Sequence, residues 1–136
     1  MEPIFHLSLS VSDLTATRAF YENAFGAKVG RSTGDWIDIW LFGAQLTAYR
    51  RPAAVTPSPY REAQHFGATV SWDKWADITA RAGGVAGGFA AAPLLDDVGG
   101  TAKAMVADPD GYLIEIKAYR EPIIILMRPD EAKLFP

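Results

Sequence analysis

The chain carries one pattern twice, and that repeat restricts its fold more than any other feature. Ile4 to Val11 alternates, with Phe5, Leu7, Leu9 and Val11 on one face and His6, Ser8 and Ser10 on the other. Asp13 follows as a helix N-cap, Leu14, Thr17, Tyr21 and Ala24 form an apolar stripe flanked by Phe20 and Phe25, and Gly26 closes the helix. Ala27 to Ser32, Trp36 to Phe42 and Gln45 to Arg50 read as strands, with Gly43-Ala44 as the last turn. His65 to Trp72 then alternates again, and Asp73 caps a helix that runs through Arg81 to Gly83-Gly84. Strands over Val85 to Ala91, Thr101 to Ala107 and Tyr112 to Ala118 complete the second unit, with Pro93 to Gly100 as a loop. Each unit is β-α-β-β-β. A repeat this short buries its apolar faces by stacking against its copy. The expected fold is therefore α+β: two β-α-β-β-β modules paired into a bowl-shaped mixed sheet.

One domain is expected over residues 1–136, with module 1 at about 4–50, a proline-bearing linker at 51–63, module 2 at about 64–119 and a tail at 120–136. In the tail, Ile123 to Met127 reads as a short strand. Uncovered it is a sticky edge, so it packs on its own domain or on a second subunit. A formal charge of −3 without a basic block argues against nucleic-acid binding. No apolar run is long enough to cross a bilayer, and the N-terminus lacks the pattern of a signal peptide, so no membrane partner and a cytoplasmic location are expected. Cysteine is absent, which removes disulfides, thiolate ligands and thiol nucleophiles.

The second module ends in a β-hairpin built on Asp108-Pro109-Asp110-Gly111. Proline presets a type I turn and Gly111 takes the left-handed position after it. Three residues of loop put Val106 opposite Ile114 and Met105 opposite Glu115. Val106, Ile114 and Ile116 then share an apolar face, while Met105, Leu113, Glu115 and Lys117 share the other. Glu115 is a carboxylate in the middle of an apolar strand, so it is solvated, paired or bound to a metal. Counting from the glycines, Thr47 occupies in module 1 the place of Glu115 in module 2.

His6 and His65 are the only histidines, and alternation sets both on the polar face of their strands with Glu115. Two imidazoles and a carboxylate on one side of an ion form a facial ligand set with positions left open for substrate. The plainer alternative is three unrelated surface side chains. Ser8 stands two residues from His6 on its face, as a hydrogen-bond donor or a small filler. Lys103 and Lys117 are expected on the Glu115 face, where they attract an anionic substrate or reach solvent at the rim. The four tryptophans line an aromatic pocket or fill core.

The stretches Phe5 to Leu14, Ala19-Phe20-Tyr21, Gln64 to Gly67 and Asp108 to Glu115 resemble the vicinal oxygen chelate superfamily, which includes glyoxalase I, extradiol dioxygenases and the fosfomycin- and bleomycin-resistance proteins. Trp36-Ile37-Asp38 with Phe42 to Leu46 is similar to small extradiol-dioxygenase-like proteins. The resemblance spans Ile4 to Tyr119. It implies a divalent metal (Fe, Mn, Zn or Ni) held by His6, His65 and Glu115, a small-molecule substrate and a homodimer, sometimes with exchanged modules. Ser8, Thr47, Lys103, Met105 and Lys117 become cavity or substrate residues. Thr47 stands where glyoxalase I carries a fourth ligand, and no histidine is left over for the acid–base role of ring-cleaving dioxygenases. The implied activity is metal-dependent, glyoxalase-like or dioxygenase-like, on a substrate that chelates through adjacent oxygens, with the general acid–base residue unassigned. The alternative is a resistance protein that sequesters its ligand.

Overall fold

The alternating segments become two four-stranded mixed sheets in the computed structural model, which describes residues 1–56, 64–85 and 88–121. Module 1 comprises β1 (His6–Val11), α1 (Leu14–Phe25), β2 (Lys28–Ser32), β3 (Trp36–Leu41) and β4 (Ala44–Arg50); module 2 comprises β5 (His65–Val70), α2 (Trp72–Ala82), β6 (Phe89–Asp96), β7 (Thr101–Ala107) and β8 (Leu113–Tyr119). The sheet orders are β1-β4-β3-β2 and β5-β8-β7-β6, the same topology twice. In each, the first strand runs parallel to the last and the remaining pairs are antiparallel. Paired β-α-β-β-β modules of the α+β class are thus present. The segment Ile123 to Met127 lies outside the described residues.

α1 starts where Asp13 Oδ1 accepts from Ala16 N at 3.0 Å, and stops where Gly26 turns left-handed at φ 65°. α2 differs from expectation. Its cap is Ser71, whose Oγ accepts from Lys74 N at 3.2 Å, and Asp73 falls inside the first turn. β5 accordingly ends at Val70. β6 begins at Phe89 and runs through Pro93 into the expected loop. It is an edge strand with two register shifts, and an edge tolerates a proline that a central strand rejects. The β3–β4 turn is Phe42-Gly43, one residue earlier than expected, with both residues at positive φ.

The apolar faces of both sheets and the buried stripes of both helices join one core. Tyr21, Ile39, Ile78, Ile114 and Ile116 are fully buried in it. α1 packs against α2 within that core. The polar faces of the two sheets are therefore turned away from it. The tryptophans divide: Trp75 is core, Trp40 is exposed, and Trp36 and Trp72 are half-buried under the guanidinium groups of Arg31 and Arg120.

Candidate metal centre

Glu115 sits at the middle of β8, paired on one side with Gly67 of β5 and on the other with Met105 of β7. His65 opens β5 on the same face. Its Nε2 lies 3.2 Å from Glu115 Oε2. The Glu115 side chain is 22 % exposed, so the carboxylate is only partly in contact with solvent. The two side chains line a shallow cleft of about 290 Å³ together with Gly67, Thr69 and Lys117.

Gly67 is what permits this geometry. A Cβ at that position would fall onto the Glu115 carbonyl oxygen, well inside van der Waals contact. β5 thus approaches β8 more closely than a side chain allows, directly beside the two potential ligands. Module 1 has Ser8 opposite Thr47 at the equivalent place, which bears out the count that set Thr47 where Glu115 stands.

His6 is exposed, and its Nε2 lies 3.2 Å from Ser8 Oγ. It does not join His65 and Glu115. Among the described residues no three His, Asp or Glu side chains gather to hold a metal ion. Of the three expected ligands, the structure brings His65 and Glu115 together and leaves His6 apart. An imidazole nitrogen and a carboxylate oxygen on one cleft wall suit a divalent ion, but they are one donor short of a facial set.

Thr47 is buried and committed. Its hydroxyl donates to Asp38 Oδ1 at 2.8 Å, and the other oxygen of Asp38 accepts from Arg31 at 2.9 Å. Asp38, 2 % exposed, was not among the expected site residues. The signal was present: it is a lone acid inside Trp-Ile-Asp-Ile-Trp, the same anomaly that marks Glu115. Met105 stands opposite Glu115, and Lys103 opposite Lys117, on the expected face.

The hairpin does more than carry Glu115. Asp110 accepts from Ser12 N at 3.0 Å and Ser12 Oγ at 2.5 Å, and Tyr112 donates its hydroxyl to the Ser10 carbonyl at 2.7 Å. These bonds tie the second module to the end of β1. Asp108 Oδ1 accepts from the N–H groups of Asp110 and Tyr112, while Tyr21 donates to Oδ2 at 3.2 Å. Burial pushes the Asp108 carboxyl up to about 6 despite these donors. Burial, and then the nearby Asp108, hold the Tyr21 hydroxyl well above its ordinary value, so it stays a donor. An apolar cavity of about 240 Å³ lies between the modules, lined by Phe5, Leu7, Phe42 and Phe66 among others. Among the described residues no helix is long and apolar enough to cross a membrane.

A family model described as Glyoxalase/Bleomycin resistance protein/Dioxygenase superfamily matches residues 4–116. Among solved structures, the chain resembles a glyoxalase/bleomycin resistance protein/dioxygenase from Alicyclobacillus acidocaldarius at 24 % identity, covering 93 % of this chain and 96 % of that one with a TM-score of 0.66. It resembles the genomically encoded fosfomycin resistance protein FosX from Listeria monocytogenes at 20 % identity, with coverages of 94 % and 99 % and a TM-score of 0.71. A mutant of FosX complexed with Mn(II) and 1S,2S-dihydroxypropylphosphonic acid matches at 22 % identity, with coverages of 90 % and 94 % and a TM-score of 0.67. At these identities the likeness is one of fold. No curated protein matches the sequence.

Proposed function

Since the chain belongs to the glyoxalase/bleomycin resistance protein/dioxygenase superfamily, we propose that it is a divalent-metal-dependent enzyme acting on a small substrate that chelates through adjacent oxygens. The observation that carries this reading is the His65–Glu115 pair, 3.2 Å apart on the wall of a cleft. His65 and Glu115 hold the ion, and His6 of a second copy supplies the third donor. A homodimer with exchanged modules follows from that donor count, and Mn(II) in the FosX complex supports the class of ion. When bound, the ion supplies Lewis-acid activation of a coordinated oxygen. Gly67 keeps the two ligands in register. Ser8, within hydrogen-bond reach of His6, orients that imidazole or donates to substrate. Tyr112 and Asp110 of the hairpin fix the end of β1 relative to β8.

The test starts with metal analysis of untagged protein, followed by melting with and without chelator. A ligand that binds only the native state stabilises it by mass action, and imidazoles must be neutral to ligate. Chelator is expected to lower the melting temperature at neutral pH and to have less effect in acid. Glu115→Ala is expected to remain folded, to lose most metal affinity and to abolish turnover. Oxygen uptake with catechols identifies a dioxygenase, and isomerisation of thiol adducts of 2-oxoaldehydes identifies a glyoxalase. One observation favours a second reading, a sequestering protein: the apolar cavity between the modules. Equal binding of an apolar ligand by wild type and Glu115→Ala, with no turnover by either, would establish it.

A further inference from the structure

We propose that Lys103 and Lys117 form an oxyanion subsite beside the His65–Glu115 pair, so that the substrate carries an anionic group, carboxylate or phosphonate, besides its chelating oxygens. The proposal deepens the metal-dependent reading and rests on it for the second half of that statement only.

Lys103 and Lys117 are direct cross-strand partners on β7 and β8, and Thr69 of β5 is the partner of Lys117 on its other side. A hydroxyl and two ammonium groups thus occupy one row across the sheet. The adjacent row is Gly67, Glu115 and Met105. Like charges directly opposite each other destabilise a sheet, and an opposite charge is the ordinary solution. Here none is supplied. Among the described residues neither lysine has a carboxylate partner. Of the acids of the β6–β7 turn, Asp96 lines a cavity with Lys103 but forms no ion pair with it and accepts from Gly99 N at 2.7 Å, and Asp97 pairs with Arg120. Glu115 faces His65.

An oxyanion between the two ammonium groups offsets that repulsion, and the Thr69 hydroxyl is placed to donate to it. Lys117 lines the same cleft as His65 and Glu115. Two residues along a strand span roughly 7 Å. One small molecule therefore reaches from the lysine row to the ligand row.

The experiment is calorimetric titration of metal-free protein with inorganic phosphate, repeated with Lys103→Met, Lys117→Met, the double variant and the two Arg replacements. Each Met variant is expected to bind phosphate about tenfold more weakly, the double variant not at all, and the Arg variants nearly as well as wild type. Without phosphate, the double Met variant is expected to melt above wild type, because the repulsion is gone. Metal content is measured on the same variants. Phosphate binding that survives in the double variant, or is absent from the wild type, overturns the subsite. Phosphate binding through the lysines in a protein that takes up no metal retains the subsite and overturns the metal reading instead.

Discussion

Asp108 shows how a single turn residue sets a pH dependence for the whole chain. Its carboxyl titrates at about 6 when folded, against about 3.9 for an unstructured aspartate. The raised value arises first from burial. Below about pH 4 the group is protonated in both states and its full contribution to stability is present. As pH rises, the unfolded chain releases its proton first, and that contribution is lost through about pH 6. Two pH units correspond to about 2–3 kcal/mol. Asp108→Asn keeps an oxygen for the N–H groups of Asp110 and Tyr112 and removes the titration. Denaturant unfolding of both proteins from pH 4 to 8 is expected to give similar stabilities in acid and a more stable variant at neutral pH. A difference that stays flat across this range would rule out the buried, titrating Asp108. The turn itself was legible, since Asp-Pro-Asp-Gly is a local signal. Its partners were not: Tyr21, Ser12 and Ser10 lie many residues away, and no periodicity links them to the hairpin.

At the scale of elements, the pairing of β5 with β8 is the most demanding contact in the candidate site. Gly67 has no room for a side chain against the Glu115 carbonyl. Gly67→Ala must push the strands apart, and overpacking of this kind costs about 1–3 kcal/mol. The expected result is a lower denaturation midpoint together with weaker metal binding, since the Glu115 backbone moves with its strand. An alanine variant with an unchanged midpoint would show that the strands are not so closely set. Gly67 appears in the sequence as one small residue in an alternating strand, and nothing local distinguishes it from a filler. The register of β7 with β8 was legible in full, because loop length and alternation fix it. α2 was shifted because Ser71 and Asp73 are both good caps, and the choice between them depends on where β5 leaves its sheet. β6 was shifted because edge strands accept a proline and irregular register. Asp38 was readable by the same test as Glu115, and its partners Thr47 and Arg31 lie on neighbouring strands of the same sheet.

At the scale of the whole molecule, the repeat legible in the sequence does not decide which copies face each other. Two modules can close a bowl within one chain or between two, and the alternation on each strand is the same in both cases. What differs is the location of His6. In the structure it stands apart from His65 and Glu115, and the helices of the two modules pack between the sheets' apolar faces. β1 and β5 are edges of their sheets, and an edge strand is where another chain can pair. In a symmetric dimer with exchanged modules, each site takes His6 from one subunit and His65 with Glu115 from the other. This arrangement predicts complementation. His6→Ala and Glu115→Ala each damage both sites of their own homodimer. In a mixed dimer both lesions fall on one site, and the other regains all three ligands. Co-refolding equal amounts gives about half mixed dimers by random pairing, so tight metal binding is expected to recover to about one quarter of the wild-type level. If His6, His65 and Glu115 acted within one chain, or if His6 were no ligand, the outcome would differ. In the first case mixing restores nothing, and in the second the His6→Ala protein binds metal normally before any mixing.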